Sequence, residues 1–206
     1  MDTSPYTIQS HCIIRDRSIR VNGVVRFEME NTSPLGDFLK AAYRQLGVDY
    51  PKFHKMDGLC KAIFLATELL AVESGPYDMN TALIFANRSS SFLSDDKHAT
   101  TIFAAENASA SPATFVYTLP NIALGEISIR HQLHSENVFF IFDRYLPDFF
   151  VPYTDAALNG KPTKSALCGW VEITEQTCDL FLYHVGKSGA HPHTVAQLKR
   201  IYNEHE

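Results

Sequence analysis

Asp143-Arg144-Tyr145 follows directly on the apolar run 138–142. Arginine is a permanently charged, non-nucleophilic fork of donors, so this triplet suits holding a carboxylate or phosphate better than attacking one. The plainer reading is a salt-bridged Asp–Arg cap where two elements meet. Asn121, Glu126 and Arg130 recur every four or five residues. On a helix they form a polar stripe for a partner, unless Glu126 and Arg130 simply pair in solvent. Asn87-Arg88-Ser89-Ser90-Ser91 offers backbone and hydroxyl donors to an anion at a strand end, with a solvated loop as the plainer alternative. His184, His191 and His193 invite a metal reading, yet no carboxylate or cysteine joins them at a recognisable spacing. No metal is expected. Cys12, Cys60, Cys168 and Cys178 form no C-x-x-C pair and sit in apolar surroundings, as free buried thiols do. No nucleophile elbow, Walker loop or dinucleotide fingerprint occurs, so no cofactor is expected.

These residues must be positioned by alternating strand-like and helix-like stretches. Residues 6–14 and 19–27 read as two strands joined through Asp16-Arg17. Ser33 as cap and Pro34 as first helical residue open an amphipathic helix carrying Phe38, Leu39, Ala42 and Leu46, which Gly47 ends. A longer helix spans roughly 55–73, with Leu59, Cys60, Ile63, Phe64 and Leu70 inward and Glu68 mostly off that face. The continuous apolar run 81–86 reads as a strand covered on both faces. Residues 87–110 predict a polar loop with a short helix. A helix near 121–133 should bury Ile122, Leu124, Ile127 and Ile129, and the strand 137–142 follows. The next helix, 146–158, contains Pro147 and Pro152, predicting a late start, a kink or partial loop. Strands 166–173 and 178–184 form a hairpin, and a terminal helix carries Val195, Leu198, Ile201 and Tyr202 on one face. The pattern is α/β, mostly parallel with an antiparallel edge.

Composition narrows the class. With 206 residues, 45% hydrophobic and 20% charged, one domain over 1–206 with a sizeable core is expected. A net charge of −5 without a dense basic cluster argues against nucleic acid or an anionic membrane as partner. No apolar run approaches the ~20 residues needed to cross a bilayer, and the N-terminus carries no secretory signal pattern. A cytoplasmic protein is expected, in which the sequons at Asn31, Asn87 and Asn107 have no meaning.

Ser111-Pro112-Ala113-Thr114-Phe115-Val116-Tyr117-Thr118-Leu119-Pro120-Asn121, continuing through Gly125-Glu126-Ile127-Ser128-Ile129-Arg130 to Asn137, resembles the segment that leads into the nucleophile of β-ketoacyl synthases of the thiolase superfamily. Tyr50-Pro51-Lys52-Phe53-His54-Lys55-Met56-Asp57 is similar to the lead into that family's first long helix. Residues 137–172 overlay without a gap, ending at Cys168-Gly169-Trp170-Val171-Glu172. The resemblance covers roughly residues 5–185. It implies a thiolase-like N-terminal half: a single mixed five-stranded sheet flanked by helices, plus an N-terminal hairpin and a C-terminal helix.

The same resemblance places the nucleophile position at Arg144, with no cysteine, serine or threonine one residue away. The family's histidine-bearing C-terminal half has no counterpart in these residues. The resemblance therefore implies a non-catalytic subunit or scaffold in fatty-acid or polyketide-type biosynthesis, of the aryl-polyene or flexirubin-like kind. The expected partners are a second copy or a full-length ketosynthase, paired through Asn137, Val138, Phe139, Phe140, Ile141 and Phe142. An acyl carrier protein is a further expected partner, contacted by Asn121, Glu126 and Arg130. A lone half should also leave apolar surface for a partner to cover. The alternative is a small acyltransferase or 3-oxoacyl-carrier-protein-synthase-like enzyme with new chemistry at the old elbow, using Asp143, Tyr145, His131 or His134.

Overall fold

The computed structural model describes residues 4–103, 111–160 and 162–204. Its centre is one sheet of β1 (Thr7–Arg15), β2 (Ser18–Val21), β3 (Val24–Glu28), β4 (Thr81–Asn87), β5 (Asn137–Ile141), β6 (Ser165–Ile173) and β7 (Cys178–Gly186), with a two-residue β8 (His191–Pro192). The order is β3-β2-β1-β7-β6-β4-β5, and β8 pairs with β1. The expected mixed sheet is present as β5-β4-β6-β7-β1. The N-terminal hairpin is not an appendage to it: β2 and β3 continue the same sheet, which has eight strands. The expectation of mostly parallel pairing is corrected as well. Parallel pairs are β4 with β5 and β4 with β6, while β1 with β2, β7 and β8, β2 with β3, and β6 with β7 are antiparallel. The four-residue β6–β7 turn forces this, because a parallel return needs a crossover of a dozen residues or more.

Residues 19–27, expected as one strand, fold back on themselves at Asn22-Gly23, where φ is 51° and 79°. Val21 then pairs with Val24. An Asn-Gly pair adopts this left-handed turn readily. The expected turn at Asp16-Arg17 is also left-handed at both residues, with φ of 44° and 57°.

On one face lie α1 (Leu35–Leu46), α2 (Gly58–Ser74) and α5 (Ile122–His131). α1 begins one residue later than expected: Pro34 is the cap residue and no side chain caps the helix, while Gly47 closes it at φ 65°. α2 begins where the Asp57 carboxylate accepts the Cys60 N–H at 2.8 Å, after a 3-10 turn at Pro51–Lys55. Ala62, Ile63, Phe64, Leu65 and Ala66 of α2 are fully buried, because the helix packs on β1, β6 and β7 and is covered by α1 and α5. On α5, Leu124 and Ile127 are buried as expected, whereas Ile129 turns outward and is 67% exposed.

The opposite face carries α6 (Pro147–Asn159) and α7 (Val195–Asn203). α6 is continuous despite Pro152. Pro152 is solvent-exposed, and the carbonyl it leaves without a helical donor is that of Asp148, itself an exposed residue in the first turn. Gly169 on β6 sits where a Cβ would overlap the Phe181 carbonyl oxygen of β7, so only glycine lets these strands pair closely.

In the stretch expected as polar loop, α3 (Phe92–Phe103) packs with α4 (Pro112–Phe115) and the 3-10 turn Val116–Thr118. Residues 104–110 of that reading lie outside the described residues. Phe92, Phe103, Phe115, Val116 and Leu119 of this cluster are exposed. Among the described residues no helix is long and apolar enough to cross a membrane.

Candidate functional site

β5 is an edge strand, paired on one side with β4. Its direction is prolonged by Phe142, whose N–H donates to the Asn87 carbonyl at 2.9 Å. The chain then turns outward. The Asp143 and Arg144 side chains are 72% and 73% exposed and pair with each other at 3.0 Å. α6 starts only at Pro147, which has no N–H, and Leu146 gives no side-chain cap. Arg144 thus lies outside the first helical turn, and the helix's leading residue brings no donor to it.

Tyr145 turns inward and is 8% exposed. Its ring lies 4.7 Å from Tyr202, 5.5 Å from Phe150 and 5.7 Å from Phe181. Its hydroxyl is buried, as is that of Tyr183, and burial raises the pKa of both phenols well above the usual range. The space beside the junction is filled by rings. Phe142 and Phe149 lie 4.8 Å apart, Phe140 and Phe149 4.9 Å, and Phe149 and Tyr153 5.3 Å. Polar groups do not converge there, as a binding pocket would require.

A thiol lies beneath this layer. Cys168 of β6 meets the Thr154 hydroxyl of α6 at 3.2 Å. Burial pushes its pKa up to about 12, against the opposing hydrogen bond with Thr154. Burial likewise pushes up Cys12, Cys60 and Cys178. All four are free buried thiols, held protonated at neutral pH and inert as nucleophiles.

The donors of the 87–91 loop gather at the end of β4, but the chain supplies their anion itself. The Arg88 and Ser89 N–H groups donate to Glu172 Oε2 at 2.8 and 3.1 Å, and the Ser89 hydroxyl takes Oε1. Asn87 is 1% exposed and bonded to both the N–H and the carbonyl of Ser90. This loop is neither a solvated segment nor an open anion site.

Of the expected stripe only Asn121, the residue before α5, is exposed. Glu126 is 4% exposed and holds Lys52 at 2.8 Å. Arg130 donates through two nitrogens to Glu68 of α2, each at 3.0 Å, and stacks 5.2 Å over the Tyr50 ring. Neither the partner stripe nor the Glu126–Arg130 pair forms as read; both charges lock α5 onto its neighbours. Burial opposes ionisation of Glu68, but bonds from His131 and Arg130 outweigh it and bring its carboxyl down to about 2. Glu68 was missed because it lies in an apolar helix, where a lone carboxylate at the margin of the buried face reads as solvent-facing.

The histidines are dispersed. His193 is fully buried with Nδ1 3.1 Å from Asp155, which also accepts the Ser4 hydroxyl at 2.8 Å. His184 lies 5.2 Å from the Tyr77 ring, and burial lowers its pKa to about 4. His131 pairs with Glu68 at 3.1 Å, and His134 is exposed. Both precede β5, a strand's length from Arg144. Among the described residues no three potential metal ligands gather.

No protein-family model matches the sequence, and no curated protein matches it significantly. Solved structures do. The ishigamide ketosynthase/chain length factor superposes with a TM-score of 0.64 at 14% identity, over 91% of this chain and 63% of that one. A ketosynthase in complex with its chain length factor from Xenorhabdus doucetiae gives 0.56 at 12% identity, over 96% and 91%. A type II polyketide synthase acyl-carrier protein in complex with its ketosynthase bound to the hexaketide gives 0.60 at 10% identity, over 90% and 63%. The chain therefore has the thiolase-like fold of ketosynthase and chain-length-factor proteins. It spans under two thirds of two of these matched chains and nearly all of the third. At such identities the likeness is one of fold.

Proposed function

We propose that this protein is a non-catalytic ketosynthase-like subunit of fatty-acid or polyketide-type biosynthesis, of the aryl-polyene or flexirubin-like kind, working beside an active ketosynthase. The observation that carries this reading is the β5–α6 junction. An exposed Asp143–Arg144 pair stands where the family resemblance puts a nucleophilic cysteine, beside a space filled by Phe142 and Phe149. A condensing thiolate draws on helix N–H donors and an open acyl pocket, and this junction offers neither. The match over 91% of a chain from a ketosynthase/chain-length-factor complex supports pairing, since that chain is similar in length to this one.

In this reading β5 is the dimer strand and pairs antiparallel with its counterpart in a ketosynthase, closing the open edge. A carrier protein would contact the complex near Asn121, with Glu126 and Arg130 holding α5 in place. The acyltransferase alternative gains no support from the geometry: Asp143 is solvated, Tyr145 is buried against rings, and His131 and His134 lie beyond the far end of β5. Co-expression with the ketosynthases and carrier proteins of the same source, followed by affinity capture and size-exclusion light scattering, tests the proposal. A stable complex with a ketosynthase is expected; a chain that stays alone with every candidate contradicts it.

A further inference from the structure

The short helical pieces between β4 and α5 pack differently from the rest of the chain. α3, α4 and the 3-10 turn Val116–Thr118 each rest on the other two, and among the described residues none rests as extensively on any other element. Ser94 is the one residue of the three that is buried among those described. Leu93 and Tyr117 are half-buried against the core beneath, while Phe92, Ile102, Phe103, Phe115 and Val116 are exposed. We infer that these pieces form a lid that opens as one unit about Ser90 while the sheet stays folded, uncovering the C-terminal end of β4. The inference does not rest on the ketosynthase-like reading.

Hydrogen bonds divide the segment into a fixed base and a moving part. The Arg88 and Ser89 N–H groups are held by Glu172 of β6. Asn87, itself buried, grips Ser90 by accepting its N–H at 2.9 Å and donating to its carbonyl at 2.7 Å. Ser90 has φ 52°, a left-handed conformation uncommon for serine, and residues held this way gather at switch regions. Beyond it the bonds turn in on the lid: the Ser91 hydroxyl donates to the Thr118 carbonyl and joins the lid's two ends.

Among the described residues one side-chain hydrogen bond latches the lid to the body, from the Ser94 hydroxyl to Asp57 Oδ2 at 2.7 Å. Asp57 Oδ1 accepts the Cys60 N–H at the start of α2, so the acceptor stays in place when the latch breaks. A cavity of about 20 Å³ lies along the seam, between Gly58 and Ile173 of the body and Ser91 and Ser94 of the lid. A segment that buries little apolar surface and closes its hydrogen bonds on itself opens at a lower free energy than the core it sits on.

Hydrogen exchange of the whole chain at several low urea concentrations, followed by mass spectrometry, tests the inference. The amides of residues 95–103 and 114–116 should exchange together, about a hundredfold or more faster than those of β4 and β6, and with a shallower dependence on urea. Ser94→Ala removes the latch from α3 only. It should nevertheless speed exchange about tenfold in both stretches, and leave β4 and β6 within about twofold of the parent. No acceleration, acceleration of α3 alone, or equal acceleration of the whole chain overturns the lid, as does parent exchange in step with β4 and β6. If circular dichroism shows Ser94→Ala unfolded, the parent's urea dependence decides: one shallow slope shared by both stretches supports the lid, and separate slopes overturn it.

Discussion

Among the described residues Arg144 makes its one charged contact with the neighbouring, equally exposed Asp143. Arg144→Ala should therefore leave the melting temperature within about 2 °C of the parent. If Arg144 meets the partner or carrier, the same variant weakens that binding in a pull-down; unchanged binding removes it from the interface. His184 behaves differently. Its pKa falls from 6.5 to about 4 in the folded chain, so above pH 6.5 it is neutral whether folded or not and costs nothing. As pH drops from 6.5 towards 4, the unfolded chain takes up a proton that the folded chain refuses, and stability falls by about 1.4 kcal/mol per unit. The buried His193, whose pKa burial also lowers, adds in the same direction. Urea melts at pH 6.5 and 5 should show the loss, and His184→Leu should remove most of it. The sequence marked these histidines and cysteines by type, but whether a His faces a carboxylate or an aromatic ring is set by which strands pair. That depends on contacts far apart in the chain, such as Leu167 opposite His184.

Elements were legible wherever one local signal dominated. The run 81–86 announced a doubly covered strand, and Gly47 a helix end. Asn22-Gly23 carried an equally strong turn signal, overridden by the apolar residues on both sides of it. Pro152 pointed the other way, towards a broken helix, because a sequence does not reveal that its orphaned carbonyl belongs to an exposed residue in the first turn. Glu68 and Arg130 were legible only as separate polar residues; their bond across α2 and α5 is tertiary. Glu68→Gln leaves Arg130 and His131 half-buried without their carboxylate and should cost about 2 kcal/mol in chemical denaturation. Gly169→Ala forces β6 and β7 apart at the Phe181 carbonyl and should cost about 3 kcal/mol or more, lowering the melting temperature by roughly 10 °C.

The described chain is a five-stranded mixed sheet extended by its own hairpin at one edge and left open at the other, where β5 has no second neighbour. α6 and α7 cover one face, and α1, α2 and α5 the other, so the exposed apolar residues concentrate around α3 and α4 and on single sites such as Ile141. Ile141 is 51% exposed at the end of β5, so Ile141→Lys should leave folding intact while disrupting any pairing through that edge. The central claim is that this chain pairs with a ketosynthase and carries no acyl group itself. Native mass spectrometry of the chain mixed with a ketosynthase and acyl-loaded carrier protein from the same source tests both halves at once. The account predicts a stoichiometric complex in which this chain keeps its unmodified mass. An acyl adduct on this chain, or its persistence as a free monomer in every mixture, would contradict it.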